Sequence, residues 1–450
     1  MYCCGPTVHD FAHIGNFRTF VFVDLFRRYL EWKRYDVEHV MNITDVEDKI
    51  IRKIGESGES LSDYTSRYEK AFFDDLKALG CLSPHQRPRA TEHIDSIIRL
   101  IEKLIANGFA YVSGEGSVFF SISKYQASGR CYGQLLNLNF EAMRPGERVA
   151  ADEYEKDAVA DFALWKAKVD GDGGVSWKSP WGEGRPGWHI ECSAMSMDLL
   201  GESFDVHLGG EDLVFPHHED EIAQSEGACL HASDQRFVKY WVHGAHLLVE
   251  GKKMSKSLGN YFTLRDLQTK GFKGREIRYS LLSAHYRDTY NFTLDGLTAA
   301  KTALARLDDC LSRLQEVADG AEAAFEPGLF EERFAEALDD DFNVSAMWAS
   351  VFDWVRDQNR RLSEGDLRAE LAAAELGRWK ALDQVLGVGP GLGEKAAIPA
   401  AIDALLQERQ AARKSKDFAR ADQLRDELMA AGWVIEDTPK GPRLKRVSDG

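Results

Sequence analysis

The chain has 450 residues, enough for two to four domains, and its 44% hydrophobic and 11% aromatic content suits an ordinary globular protein with sizeable cores. No run of 18 apolar residues occurs and no basic region precedes an apolar stretch at the N-terminus, so neither a membrane span nor a secretory signal is expected. The formal net charge is −17, which argues against nucleic-acid binding by the whole surface; Ala400 to Gly450 is the exception, with ten Lys/Arg against nine Asp/Glu.

Residues 4–16, CGPTVHDFAHIGN, form the first informative stretch. A thiol, a Gly-Pro turn and a short β-branched stretch, Thr7-Val8, lead into His13-Ile14-Gly15-Asn16 and a strongly apolar run, Phe17 to Leu30. Strand, glycine turn and helix together offer backbone N–H groups and a helix N-terminus to phosphate. A histidine in such a turn is more often a capping or solvated residue, so the spacing alone is suggestive only.

The pattern predicts a helix over 17–34 and a strand from Val37 to Ile43 that ends in polar Asn42-Ile43-Thr44-Asp45. Helices follow over about 45–80 and 91–107. This is β–α alternation, hence a parallel sheet. Residues 108–184 read as an insertion of short β-rich pieces. The α/β pattern then resumes, with a helix over 194–200, a buried strand over 204–207, a helix opening at Phe215 and running to Gly227, and a strand within 237–249. GKKMSKSLGN (251–260) is a loop. After about Arg275 strand signals stop and helices continue to Leu386. A Gly/Pro linker spans 387–399, a long helix is expected over 401–430, and Trp433-Val434-Ile435 looks like a short strand.

Seven cysteines lie far apart, without a C-x-x-C, which points to a reducing compartment. His217 and Glu221 stand at i and i+4, one helix face, where they could ligate a metal or simply complement a helix dipole. Cys4 and Cys192 could complete a tetrahedral set, but 188 residues separate them and spacing does not bring them together. The three lysines of 252–256 suit a polyphosphate as well as solvent.

Taken together, CGPTVHDFAHIGN, NITDVEDKII (42–51), DFALWK (161–166), SPWGEGRPGWHIECSAM (179–195), FPHHEDEIAQSE (215–226), KMSKSLGN (253–260), DDDFN (339–343) and DFARADQLRDEL…EDTPKGPR (417–443) run through the chain in order. They resemble the class I aminoacyl-tRNA synthetases and, among these, the cysteinyl-tRNA synthetase family. The resemblance implies an α/β fold: a Rossmann-type parallel-sheet catalytic domain (1–107 and 185–250) split by a connective insertion (108–184). A KMSKS loop and stem-contact region (251–296), a helical bundle (297–386), a linker (387–399) and a small α+β anticodon-binding domain (400–450) follow.

By the same resemblance His13 and Asn16 match the HIGH-type motif and Lys253 to Ser257 match KMSKS, with Lys256 on ATP. Pro6, Thr7 and Gly15 join His13, Asn16 and Lys256 at the nucleotide. Catalysis falls to His13, Asn16, Lys253 and Lys256. Cys4, Cys192, His217 and Glu221 match one zinc site. Thr44, Trp188 and Asp212 lie near the amino acid. The implied reaction is ATP-dependent ligation of L-cysteine to tRNA(Cys) through an adenylate, with Mg2+ accompanying ATP and the cysteine thiolate selected by zinc. A thiolate is a strong zinc ligand and a hydroxyl is not, so selection over serine needs no editing site. A cytoplasmic monomer without membrane contact is expected.

Departures from the family are specific. Met1 lies three residues before Cys4, where the family usually has about twenty residues ending in a strand that feeds the sheet; either the start is naturally short or the sequence begins late. His9 replaces a usual Tyr, Asn16 replaces the second His of HIGH, Leu208 stands at a common Gly, and Cys3 adds a thiol beside Cys4. Three rivals remain at this stage: a cysteine ligase acting on an amino sugar, an inactive RNA-binding relative, and a synthetase for another amino acid.

Overall fold

The computed structural model describes residues 1–136, 161–172, 174–229, 236–390, 399–438 and 441–446. The chain divides into two compact units, 1–266 with 274–388, and 267–273 with 389–450. No helix among the described residues is long and apolar enough to cross a membrane.

The first unit opens with β1 (Tyr2–Cys3), α1 (Ile14–Trp32) and β2 (Val40–Met41). The first helix begins three residues before the sequence pattern suggests, because His13 caps it. Its Nδ1 accepts from the Asn16 backbone N–H at 3.2 Å, and the Asn16 side-chain oxygen accepts from the His13 N–H at 3.1 Å. The strand expected over 37–43 contracts to β2. The long helix expected over 45–80 is two, α2 (Asp48–Ser57) and α3 (Leu61–Ala78), separated where Gly58 takes a left-handed conformation (φ 72°). Then comes α4 (Ile94–Ala106).

The insertion is an antiparallel sheet, β3 (Ala110–Val112), β4 (Val118–Phe120), β5 (Phe162–Ala167), β6 (Trp177–Ser179) and β7 (Gly182–Pro186), with α5 (Ile122–Ala127) between β4 and β5. The spatial order is β3-β4-β5-β7-β6. It is not a free-standing module. Phe120, Leu164 and Trp165 pack in one core with Ile97, Leu100 and Leu104 of α4 and with Ile190. Ile190 belongs to α6 (Trp188–Leu200), which starts six residues earlier than expected and so carries Trp188 and Cys192 on its first two turns.

β8 (Phe204–Gly210), α7 (Glu219–Ala228) and β9 (Val238–Gly244) complete the α/β layer. The sheet runs β2-β1-β8-β9 and is parallel throughout, as the alternation predicts. The helix expected from Phe215 begins instead at Glu219. Phe215 is extended (φ −140°, ψ 130°), so His217 sits on a kinked approach to α7.

β10 (Leu247–Val249) pairs with β11 (Lys252–Lys253), the entry to the KMSKS loop. Next come α8 (Leu264–Thr269), α9 (Gly274–Leu281) and β12 (Tyr290–Phe292). β12 corrects the expectation that strands stop near 275: it pairs in parallel with β10. The bundle helices are α10 (Leu294–Ala318), α11 (Leu329–Asp339), α12 (Val344–Glu364) and α13 (Ala369–Leu386).

In the second unit the expected single helix over 401–430 is two, α14 (Ala400–Lys414) and α15 (Phe418–Ala430). Lys416 turns left-handed (φ 62°), and Asp417 caps α15 by accepting from the Arg420 N–H at 3.1 Å. A hairpin, β13 (Trp433–Thr438) with β14 (Gly441–Arg446), follows; Ile402, Leu428 and Trp433 share a core. Of the basic residues near the end of this tail, Lys440 lies outside the described residues, and so do the side chains of Arg443, Lys445 and Arg446.

Candidate active site at the carboxyl ends of the parallel strands

Cys4 follows β1, Thr44 follows β2, and Asp212 and His243 stand at the ends of β8 and β9. This is the edge where open parallel sheets present ligands. The segment after Cys4 is held to the segment after β2. Thr44 N–H donates to the Pro6 carbonyl, Val8 N–H to the Thr44 carbonyl, both at 3.1 Å, and Thr7 bridges Thr44. Gly5 is required there: a Cβ would stand 1.7 Å from the Asn42 carbonyl oxygen.

Cys4, Cys192, His217 and Glu221 converge in a fully buried cluster, all four donor atoms within 4.8 Å of one another. The two sulfurs are 3.8 Å apart, Cys4 Sγ is 3.6 Å from Glu221 Oε1, and His217 Nε2 is 3.0 Å from the same oxygen. Two thiolates on one tetrahedral zinc would be separated by about 3.8 Å, given a Zn–S bond of about 2.3 Å. The donor set fits that ion in type and spacing.

The electrostatics are those of a shared negative charge. Contact with Cys4 draws the Cys192 thiol down to about 6, whereas burial pushes Cys4 well up. Burial works against a cation at His217, but the Glu221 carboxylate and Cys192 raise it to about 10. Burial would raise Glu221, yet His207 and His217 hold it well below the usual carboxylate range.

Four histidines that the sequence motifs did not single out surround this set. His207 Nε2 lies 3.0 Å from Glu221 Oε2, and His218 Nε2 lies 3.6 Å from Cys4 Sγ. Cys4, His207, His218 and Glu221 therefore form a second possible donor group. Behind each inner histidine stands another: His189 Nδ1 is 2.7 Å from His217 Nδ1, and His243 Nε2 is 2.8 Å from His218 Nδ1. His189 in turn lies 3.6 Å from the Asp220 carboxylate. Such outer partners fix ring orientation and the tautomer of a metal-ligating histidine. The one available signal was the His217-His218 pair; His207 lies mid-strand in β8 and His243 near the end of β9.

Trp188, half-buried, lies over the His217 ring at 4.4 Å. Thr44 is buried and accepts from Asn42 Nδ2 at 3.2 Å. Asp212 is exposed, folded back over Gly210 so closely that a Cβ there would meet its Oδ1. Glu191, next to Cys192, is fully buried, and burial raises its carboxyl well above the usual range.

The nucleotide-type motifs meet on the other flank of the same opening segment. Ile14 N–H donates to the Phe262 carbonyl at 3.0 Å, His13 bridges Thr263, and the His13 ring stands 5.3 Å from Tyr261, edge to face. Gly15 admits two neighbours, since a Cβ there would be 3.0 Å from both the His13 ring and Met254 Cε. HIGH-type and KMSKS-type residues therefore touch. Asn260 shapes the loop by accepting from Ser255 N–H at 2.9 Å and donating to the Lys253 carbonyl at 3.2 Å. Lys253 is exposed on β11; Lys256 opens a short 3-10 turn, and its side chain lies outside the described residues.

A parallel sheet split by an insertion, with these two motifs at its carboxyl edge, is the architecture of the class I aminoacyl-tRNA synthetases. Residues 1–302 match the family of tRNA synthetases class I (C) catalytic domains, residues 333–388 the DALR domain, and residues 395–442 the cysteinyl-tRNA ligase anticodon binding domain. The fold is similar to that of Mycobacterium tuberculosis methionyl-tRNA synthetase in complex with methionyl-adenylate (TM-score 0.61, 16% identity, 86% of this chain and 91% of that one). It is also similar to an Agrobacterium radiobacter LeuRS in a ternary complex with tRNA and LeuAMS (TM-score 0.60, 12% identity, 86% and 84%). Cysteine–tRNA ligases of Chlamydia pneumoniae and Chlamydia muridarum are each 47% identical to this chain over 99% of it and over 93% and 95% of their own lengths. The chain belongs to the cysteine–tRNA ligase family.

Proposed function

We propose that the protein activates L-cysteine with ATP and transfers it to tRNA(Cys), and that Cys4, Cys192, His217 and Glu221 hold one zinc ion. The observation that carries the reading is the convergence of those four donors in one buried cluster, on a segment whose other end caps α1. Zinc, when bound, supplies a Lewis acid that prefers the substrate's thiolate to a serine hydroxyl.

The chain's own groups do the rest. Trp188 and the histidine ring behind it close the thiol pocket against water. Thr44 and Asp212 orient the amino and carboxyl ends of cysteine. Pro6, Thr7, Gly15, His13 and Asn16 receive ATP, with the α1 N-terminus facing its phosphates. Lys253 and Lys256 neutralise charge on the leaving pyrophosphate, together with Mg2+. The cysteine carboxylate attacks the α-phosphorus in line and pyrophosphate leaves. The tRNA 3′-terminal hydroxyl then attacks the adenylate carbonyl and AMP leaves. Positioning and charge stabilisation account for the first step, and no side chain is needed as its base.

Residues 400–450 are read as the anticodon-binding domain, 297–386 as a bundle and 251–296 as the stem-contact region. The family match over 395–442 supports tRNA over an amino sugar as acceptor. One chain carries every proposed donor, so the reading needs no second subunit, and the cytoplasm is where its substrates meet. The test is ATP–pyrophosphate exchange with cysteine and with serine, alongside zinc content. The expected result is about one zinc per chain, exchange with cysteine and almost none with serine. A zinc-free protein with full cysteine-dependent exchange would refute the zinc assignment.

A further inference from the structure

Ile14 and Arg18 stand at i and i+4 on α1, hence on one face and about 6 Å apart along its axis. The Ile14 N–H donates to the Phe262 carbonyl, just after the KMSKS loop. Arg18 holds the chain just before that loop. Its Nη1 donates to the Ala245 carbonyl at 2.8 Å and to the His246 carbonyl at 2.6 Å, the two residues that join β9 to β10. Its Nη2 donates to the His285 carbonyl at 2.9 Å and to the Asp288 carbonyl, in the segment that leads into β12. The two segments are also bonded to each other: Ala245 N–H donates to the Tyr286 carbonyl at 2.7 Å, and Tyr290 N–H to the His246 carbonyl at 3.1 Å. From this point β10 and β12 run in parallel, and β10 turns into β11 and the loop.

Arg18 is only 5% exposed, and these four acceptors are main-chain carbonyls. A buried arginine more often serves a carboxylate. Burial pulls the guanidinium down to about 10, so it is still a cation at neutral pH. The planar fork suits this arrangement: each terminal nitrogen takes two carbonyls of one segment, and the fork bridges the two segments. An ammonium, one nitrogen on a flexible stem, does not span both. Between the two legs Gly251, Lys252, Lys253 and Ser257 to Gly259 are exposed, so where the loop lysines stand is set largely at the legs. Both legs are referred to the same face of α1, next to the HIGH-type motif.

We propose that Arg18 is a positioning residue for adenylate formation. By holding the carbonyls at the root of β10, it fixes the entry leg of the KMSKS loop one helical turn from the exit leg. That sets the reach of Lys253 and Lys256 to phosphates at the α1 N-terminus. Arg18 acts through main chain and takes no part in holding cysteine or zinc. Transfer to tRNA does not depend on it, because pyrophosphate has left by then. The inference rests on the tRNA ligase reading above.

The test uses Arg18→Lys and Arg18→Gln in the full chain. Lysine keeps the charge and glutamine keeps two donors, but neither bridges the two segments. Each is compared with the unmodified protein for kcat and KM of cysteine-dependent pyrophosphate exchange, for zinc content, and for single-turnover transfer to tRNA(Cys) from the isolated enzyme–adenylate complex. The kcat of exchange should fall about 100-fold, the scale of a misplacement by about 1 Å. The KM for cysteine, the zinc content and the transfer rate should stay within about twofold. Combined with Lys256→Ala, either variant should lower exchange by less than the product of the two single effects, because both act on the same loop. A merely structural role would lower exchange and transfer in proportion, multiply fully with Lys256→Ala, or leave both variants unfolded; each of these results would overturn the proposal, as would unchanged exchange. Absence of cysteine-dependent exchange in the unmodified protein would overturn the underlying reading as well.

Discussion

The two flanks of the opening segment are built on opposite principles. The sulfur side is buried and over-determined: four donors, four further histidines and the Trp188 and Trp241 rings pack within contact of one another. The flank that joins the HIGH-type and KMSKS-type motifs is held by backbone. His13 and Ile14 are bonded to 262–263, and Asn260 pins its loop through main-chain groups, while Asn16 and Lys253 stay exposed. The contrast suits the roles proposed above for each. Discrimination between a thiol and a hydroxyl needs fixed, dry ligands, because hydration weakens the difference. The proposed polyphosphate would have to enter, lose pyrophosphate and release it, which exposed donors permit.

Breaking the sulfur side should have the largest effect. Cys192→Ser replaces a thiolate whose contact with Cys4 already favours ionisation by a hydroxyl that does not ionise. Loss of an outer partner of a metal site costs about 10–100-fold, and loss of a donor should exceed that, on the order of 1000-fold in exchange, with zinc content falling toward zero. Retained zinc with retained exchange would shift the metal to the Cys4–His207–His218–Glu221 group. Lys256→Ala should lower exchange by about 100-fold, the scale of removing one charge-stabilising donor. Its zinc content should be unchanged, which separates the flanks; zinc loss in this variant would mean that they are one unit.

His189→Ala comes next. It removes the nitrogen 2.7 Å from His217 Nδ1 and leaves all four donors in place. Zinc affinity, measured by competition with a chromogenic chelator, should weaken about tenfold. Exchange at saturating zinc should recover to within a few-fold of the unmodified protein. Failure to recover would assign His189 a role beyond orientation.

Much of the fold was legible because it rests on local periodicity. α1 shows its apolar face, and β–α alternation predicts the parallel sheet. What was missed lies in single residues with unusual backbone. Nothing in composition forbids helix through Lys416, and only the left-handed turn there, capped by Asp417, divides α14 from α15. β12 is three residues long, too short for a period, and exists because β10 offers it an edge. The site divides the same way. Cys4 and Cys192 meet through the β1–β8 pairing and the packing of α6, contacts 188 residues apart that no local pattern encodes; the resemblance to a family supplied them. His207 was invisible for the same reason, since a histidine in an apolar strand reads as core until Glu221 is seen 3.0 Å away.

The smallest effect is the most discriminating. At Gly15 the His13 ring and Met254 of the KMSKS loop approach the same backbone, each 3.0 Å from where a Cβ would be. Gly15→Ala adds one methyl group at a helical position, so the helix itself gains by roughly 0.5–1 kcal/mol. Both neighbours must nevertheless retreat by a few tenths of an ångström. The Met254 side chain is flexible and can yield; the His13 ring is held by its own bond to the Asn16 N–H and cannot move without loosening the cap. The variant should therefore unfold at the same or a slightly higher temperature and bind zinc normally. Its KM for ATP should rise about tenfold, with the KM for cysteine unchanged. An equal rise in both would show that a disturbance at the nucleotide flank travels along the opening segment to the sulfur flank, and that the contrast between the two is one of exposure and not of independence.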